Sequence, residues 1–372
     1  MTPSKPTLDL VRNVTDEHVL RALIRHRRMT RAEIAAETGV SRPTAGESVR
    51  RLVEAGLVAD SGERTPGGRG RGRVGSYYVL ADAARTAWAI SVAPEGVVAE
   101  AVDVHGETVA RAREGSGPSA APDDVAAALR AVAERLAAES GTPASLAVVS
   151  AADPVDRATG RLVHLPDSHF LIGELDPPGI LTGHVTGPVT VDNDVNWAAR
   201  AELAASPGDD SFAYLYLGEG LGCALVSDGR VLRGNRGLAG EVSHLITTGP
   251  GGRAVALIEV FGLLGLRRPG STAIDPERLL NAATGSASVR AALAEAVGGV
   301  LTAIASLTDP EHIVVGGPWG QDPDIFEALQ DATSRNPRVP VLRPASVPSA
   351  ASIALRADAL ARLRDSILAA PR

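Results

Sequence analysis

Arg42, Thr44, Glu47, Arg50 and Arg51 recur along one short stretch, SRPTAGESVRRLVE at 41–54, at spacings that turn them to the outward side of a single helix. Polar and basic groups presented from the N-terminal half of a helix are what the major groove of B-DNA accepts, by hydrogen bonds to base edges. Just downstream, GGRGRGR at 67–73 alternates Arg69, Arg71 and Arg73 with glycines that remove side-chain bulk. Such a segment can follow a narrow minor groove, where arginines feel the strongest negative potential. The residue types therefore point to double-stranded DNA. A surface helical hairpin with solvated charges, followed by a flexible linker, is the plainer alternative for the same residues.

Positioning these groups requires a helix, a tight turn and a second helix. Thr30 is placed to cap the first, with Glu33 three residues on as a capping box and Ile34 and Ala35 facing inward. Gly39 supplies the turn, Ser41 caps the second helix, and Pro43 falls in its first turn, where free N–H groups tolerate it. Val49, Leu52 and Val53 are expected to face the core. Helix, turn, recognition helix and an Arg/Gly wing make a winged helix-turn-helix over residues 1–80.

Charge follows the same division. The chain has a formal net charge of −7. Its first 80 residues hold 14 Lys and Arg against 9 Asp and Glu, and the rest hold 23 against 35. A basic part joined to an acidic part suggests a nucleic-acid module attached to something with another task. At 372 residues the chain has room for two or three domains, and its 44% hydrophobic content supports a sizeable core. Aromatics contribute 3%, so Ala, Val and Leu must build that core. Cys223 is the only cysteine, which excludes an intrachain disulfide and a multi-cysteine zinc site. With no run of about 18 apolar residues and no apolar segment in MTPSKPTLDLVRN, the expectation is a cytoplasmic protein outside the membrane.

Beyond residue 80 the pattern alternates. Strands are expected at 86–93, 97–104, 145–152 and 188–194, two more within 212–232 around an Asp228-Gly229 turn, and one at 312–318. Helices are expected at 124–139, 195–205, near 252–266, and at 275–282, 286–307 and 350–367. Alternation of this kind indicates an α/β architecture, and no short-period repeat is visible.

Several motifs resemble the ROK family of sugar kinases and sugar-responsive repressors, in its longer repressor-type form. SRPT with the Gly/Arg wing resembles that family's winged helix-turn-helix. VDNDVNWAARAE at 191–202 is similar to its Asn-Asp-x-Asn segment, and GEGLGCALVSDGRVLRGNRGLAGEVSH at 218–244 resembles its glycine-rich signature. HIVVGGP at 312–318 resembles the strand near the family's adenosine site, and HLPDSHF at 164–170 is a weaker match to its sugar-cleft loop. The resemblance implies an α/β chain: an N-terminal winged helix-turn-helix, then a two-lobed actin-like (ribonuclease H-like) ATPase-type ROK domain with a ligand cleft between its lobes. Lobe 1 would cover 81–190, completed by a C-terminal helix at 350–372, and lobe 2 would cover 191–349. It further implies that Asn193, Asp194, Glu241, His244 and Glu259 hold sugar hydroxyls, a task suited to carboxylates and amides. Asp194 takes the position of the kinase's general base. Asn193-Asp194 also suits a strand-end turn with a helix cap, Glu241 a solvated loop acid, and His244 an ordinary histidine. Glu259 lies in the apolar segment AVALIEVFG and is expected to need a partner.

The departures from the family are informative. Its kinases open lobe 1 with an Asp-x-Gly-x-Thr loop; here the stretch is Val92-Ala93-Pro94-Glu95-Gly96-Val97. Pro94 removes an N–H that a phosphate cradle needs, and Glu95 adds a negative charge. The family's Gly-Thr-Gly becomes Gly218-Glu219-Gly220, with a carboxylate in place of a hydroxyl. Like-charge repulsion at these two places predicts that ATP binding is lost. The family's zinc cysteines are absent from LITTGPGGRAVALI at 245–258, so no metal is expected. The reading is a transcriptional regulator, a repressor without catalytic residues or cofactor. It would bind a pseudo-palindromic operator as a homodimer or homotetramer and respond to a small molecule such as a sugar. Two alternatives stand beside it: an active ROK sugar kinase with an added DNA-binding domain, and a regulator with a non-sugar effector or none.

Overall fold

Thr30 ends one element and begins the next, and the first domain is organised around it. In the computed structural model, which describes residues 8–65, 75–81, 85–93, 96–115, 121–165, 174–334 and 336–370, with side chains from Arg12 onward, this domain runs α1 (Leu8–His26), β1 (Arg28–Thr30), α2 (Arg31–Thr38), α3 (Arg42–Glu54), β2 (Val58–Arg64) and β3 (Ser76–Leu80). Its strands form an antiparallel sheet in the order β1-β3-β2. The Thr30 side chain accepts from Glu33 N at 3.3 Å, and Thr30 N donates to Glu33 Oε2 at 2.7 Å, closing the capping box. Gly39 takes φ 70°, a left-handed conformation that glycine adopts without strain. Ser41 caps α3 by accepting from Thr44 N at 3.2 Å. The wing arginines Arg69, Arg71 and Arg73 lie outside the described residues, as do Pro94 and Glu95 and most of the 164–170 loop.

Two expectations for α3 are corrected. Its buried face is Ala45, Ser48, Val49 and Leu52, while Val53 is 41% exposed, because it lies a further 100° round the helix from Leu52. Arg51 does not point outward to DNA. Its Nη2 lies 2.6 Å from Oδ1 of Asp16, a carboxylate on α1 that is 3% exposed and also accepts from Ser48 Oγ. The arginine fork thus fastens α3 to α1. Helix α1 was not anticipated from the sequence: its buried Val19, Leu20, Leu23 and Ile24 crowd into its second half, so no apolar period marks its start.

The rest of the chain repeats one sheet design. The first lobe holds β4 (Thr86–Ala93), β5 (Gly96–Asp103), β6 (Thr108–Glu114), α4 (Pro122–Ser140), β7 (Leu146–Ala151), α5 (Pro177–Ile180) and β8 (Val189–Asn193), with strand order β6-β5-β4-β7-β8. The second begins with α6 (Asp194–Ala205), β9 (Phe212–Leu217), β10 (Leu221–Ser227), β11 (Arg230–Leu232), β12 (Ile246–Gly249), β13 (Arg253–Ala256) and α7 (Leu257–Leu263). It continues through α8 (Pro276–Gly285), α9 (Ala287–Thr308), β14 (His312–Gly316), α10 (Pro323–Ser334) and β15 (Val341–Pro344). Its five-stranded sheet, β11-β10-β9-β14-β15, matches the first: an antiparallel meander followed by two parallel strands. Strand β8 carries the first sheet to Asn193, past the expected boundary at 190. Where a helix was expected from 252, residues 253–256 pair with β12 before α7 starts.

The final helix, α11 (Ala350–Leu368), leaves the second lobe and packs on β4 and β7 of the first and against α6. Helices α6 and α11 thus fill the space between the two sheets, while α4 covers the outer face of one sheet and α9 that of the other. Helix α9 is long and apolar enough to cross a membrane, but it buries Leu293, Val297, Val300, Leu301 and Ile304 in the second lobe's core.

Replacing Arg51 with Ala removes the guanidinium that pairs with the buried Asp16 carboxylate. The winged domain is expected to lose about 3 kcal/mol, the low end for breaking a buried ion pair, read as a lower urea midpoint. An unchanged midpoint would return Arg51 to the surface.

Candidate functional site

Between the lobes an open cleft is lined by Ala152, Asp153, Asn193, Asp194, Tyr216, the glycine turn 219–222, Glu241, Ser243 and Ile258, among others. The junction of β8 and α6 forms its floor. Asn193 caps α6 by accepting from Val195 N at 2.9 Å, and its Nδ2 donates to Asp153 O at 3.2 Å. Asp194 sits in the first turn of the same helix, where the helix dipole favours a carboxylate.

Beneath them lies Asp192, a residue the sequence reading passed over. Its carboxylate is 3% exposed and accepts from Asn196 Nδ2 at 2.8 Å and Arg200 Nη2 at 2.7 Å. Arg233, in the strand-to-loop segment after β11, reaches it from the second lobe at 3.2 Å. The same loop is held again by Arg157 of the first lobe, whose Nη1 donates to Gly234 O at 2.7 Å. Gly237 is required here, because a Cβ would lie 2.1 Å from Val155 O. These contacts hold the loop that leads to Glu241, which lines the cleft from the second lobe.

The five expected ligand residues therefore separate. Asn193, Asp194 and Glu241 line the cleft, whereas His244 and Glu259 are exposed and do not line it. On α7 the cleft receives Ile258, and Glu259, one residue on, is turned about 100° away to solvent. An exposed carboxylate has no need of the partner that the apolar segment suggested. Similarly, Ser243 is buried and lines the cleft while His244 faces out.

The segment after His244 contains no cysteine. It folds as the β12–β13 hairpin and is fixed to α9 by Thr247, whose Oγ1 donates to Ala296 O at 2.6 Å. Gly299 provides the notch: a Cβ there would stand 2.3 Å from Thr247 Oγ1. Among the described residues, one group of metal-type donors occurs, Asp209, Glu311 and His312, at the far end of the second sheet. Arg343 already pairs with Asp209 at 2.8 Å, and burial lowers the pKa of His312.

The glycine turn between β9 and β10 is also self-contained. Glu219 forms an ion pair with Arg268, 49 residues further along the chain. Trp319, fully buried, donates from Nε1 to Gly218 O at 2.8 Å.

On the winged domain, Arg42 and Thr44 are exposed at the N-terminus of α3. Glu47 and Arg50 are exposed too but bound to each other, and Arg50 also meets Glu54 at 2.7 Å. The Arg50 hydrogen bond lowers the Glu47 pKa, and Glu47 in turn raises that of Arg50. Two further exposed arginines of the winged domain lie over tyrosines of β3. Arg31, at the start of α2, lies over Tyr78 at 5.1 Å, and Arg28 lies over Tyr77 at 5.1 Å.

A winged helix ahead of two actin-like lobes defines the class. Residues 12–59 match the winged helix-turn-helix DNA-binding family, and residues 89–255 match the ROK family. The chain is a ROK-family protein with an N-terminal winged helix-turn-helix DNA-binding domain. It is similar to the bifunctional enzyme NanE/NanK of Brucella melitensis, 33% identical over 42% of this chain and 32% of that one. The chain thus spans about a third of that relative's length. N-acetylmannosamine kinase of Salmonella typhi is 27% identical over 59% of this chain and 78% of that one. Among solved structures, a ROK family transcriptional regulator, a homologue of the E. coli MLC protein, shares the fold. Its TM-score is 0.61 at 18% identity, over 96% of this chain and 98% of that one. A ROK hexokinase from Thermus thermophilus has a TM-score of 0.56 at 25% identity, over 74% and 97%.

Replacing Arg42 with Ala is expected to weaken specific DNA binding by about 1–3 kcal/mol and relax discrimination at one base pair. Replacing Arg50, already held by Glu47 and Glu54, is expected to do less. Fluorescence anisotropy with specific and scrambled duplexes measures both, and equal losses would contradict this division.

Proposed function

We propose that the protein is a cytoplasmic, ligand-responsive transcriptional repressor that binds a pseudo-palindromic operator as a homodimer or homotetramer. The observation that carries this reading is the joining of two surfaces in one chain. One is a recognition helix with Arg42 and Thr44 free of the ion pairs that bind Arg50 and Arg51. The other is a cleft whose floor carries Asn193, Asp194 and Glu241. A single short recognition helix reads too few base pairs to specify a site, which favours paired copies on half-sites about 34 Å apart or a multiple of it. Arg69, Arg71 and Arg73 would add wing contacts.

The effector we favour is neutral and rich in hydroxyls, a sugar or sugar derivative. Carboxylates and amides accept and donate paired bonds to vicinal hydroxyls, and an occupied cleft would shift the population of lobe arrangements. His244 and Glu259 face solvent and carry no part of this reading. The kinase alternative draws support from the kinases among the relatives and from Asp194 at the cleft floor. Against it stands the carboxylate of Glu219 in the glycine turn, with Arg268 as its counter-ion.

Incubation with ATP, magnesium and glucose or N-acetylmannosamine is expected to yield no sugar phosphate and no ADP above background. Calorimetry with the same sugars is expected to show binding that Asp194→Ala abolishes. Phosphorylated sugar would establish the kinase alternative. Sugar binding untouched by Asp194→Ala would remove the cleft assignment, and the absence of any sugar binding would favour a non-sugar effector.

A further inference from the structure

The winged domain is held to the ROK domain by more than the covalent link between β3 and β4. Its buried α1 residues Val19, Leu20, Leu23 and Ile24 belong to one continuous apolar cluster with Val104 of the first lobe and Ala359, Leu363 and Ile367 of α11. Polar contacts converge on the same place. The β5–β6 turn, residues 104–107, is tied to the end of α1: His105 Nδ1 bonds Ile24 O at 3.0 Å, and Glu107 pairs with Arg27. A ring nitrogen that meets a carbonyl is the protonated, donating one. On its other side the turn is gripped by α11. Arg364 Nε donates to Val104 O at 2.9 Å and Arg356 Nη2 donates to Gly106 O at 2.7 Å. Gly106, at φ 87°, lets Leu360 approach to 3.1 Å from where a Cβ would stand.

The entry to α11 is itself latched. Glu202, near the end of α6, is 5% exposed. Its carboxylate accepts from Ser346 N at 2.8 Å, Ser346 Oγ at 2.6 Å and Val347 N at 2.9 Å. These two residues lie in the link from β15 of the second lobe to α11 on the first. A buried carboxylate satisfied by three donors holds that link in one geometry. The first turn of α6 carries Asp194 in the cleft and ends at Trp197, whose Nε1 donates to Val149 O at 3.3 Å.

We propose that the ROK domain sets the orientation of the recognition helix through this relay. It runs from the cleft floor along α6, through the Glu202 latch to α11, and from α11 through the β5–β6 turn to α1. Glu202 and His105 are its positioning residues. The proposal rests on the regulator reading above for its purpose but not for its geometry. A change at the start of α6 moves the link that Glu202 grips, α11 follows, and the turn that α11 grips carries α1 with it. Continuous, discretely packed elements of this kind transmit small shifts because packed cores do not deform smoothly.

Spin labels test it on the full chain. Ala55→Cys at the end of α3 and Glu139→Cys on α4 are both exposed, and the native Cys223 is buried with its thiol pKa pushed up to about 12, so it stays unlabelled. The parent is expected to give one narrow inter-label distance. His105→Ala with Glu107→Ala is expected to broaden it by releasing the turn, and Glu202→Gln by releasing the latch, with the far-ultraviolet spectrum unchanged. If Glu202→Gln unfolds, Ser346→Ala removes a single bond and is expected to broaden the distribution more mildly. A parent distribution that is already broad, or a narrow one that none of the variants alters, would overturn the relay. Operator affinity on a duplex selected by the parent is expected to fall in the same variants, although none of these residues lies on the DNA face. A parent that binds no duplex would defeat the regulator reading, while the distances would still decide the relay.

Discussion

The arrangement of the ROK domain depends on one buried carboxylate. Asp192, at the end of the first sheet, would cost several kcal/mol if left unpaired in its 3% exposed position. Asn196 and Arg200 from α6, the backbone of Asn193 and Arg233 from the second lobe compensate it together. The same bonds therefore orient α6, set the position of Asp194 and join the two lobes at the cleft floor. Arg200 is itself held by lying over Trp197 at 4.3 Å. Few rearrangements of the cleft floor can leave this group satisfied, so the two lobes and the start of α6 are fixed together at one point.

The cleft has two chemically distinct parts. Its floor retains the carboxylates and amide that suit a hydroxyl-rich ligand. Its glycine turn carries an acid in place of the hydroxyl found in kinases, neutralised by Arg268 and backed by Trp319. The β12–β13 hairpin uses Thr247 and the Gly299 notch to hold its place on α9.

Much of this was legible in the sequence, for identifiable reasons. The capping box at Thr30, the left-handed Gly39 and the Ser41 cap are local, and local signals survive without tertiary context. Strands β4, β5, β7, β8, β9, β10 and β14 were visible as short apolar runs, whereas β6, β12, β13 and β15, short or rich in polar residues, were not. What failed was long-range. Arg51 looked like a DNA contact because its partner, Asp16, is 35 residues away on a helix with no clear apolar period. Glu259 looked buried because the segment around it is apolar, yet the helix phase that puts Ile258 in the cleft puts its neighbour in water. The Asp192 network and the Glu202 latch join segments up to 145 residues apart, and no spacing within one segment announces either.

Sequence-specific DNA binding is the central claim, and selection from a random-sequence duplex pool by the full chain tests it most directly. An inverted repeat should emerge, with half-site centres about 34 Å apart or a multiple of that. Its information content should fall when the selection is repeated with Arg42→Ala. A pool that shows no enriched sequence after repeated rounds would contradict the claim, whatever the cleft proves to bind.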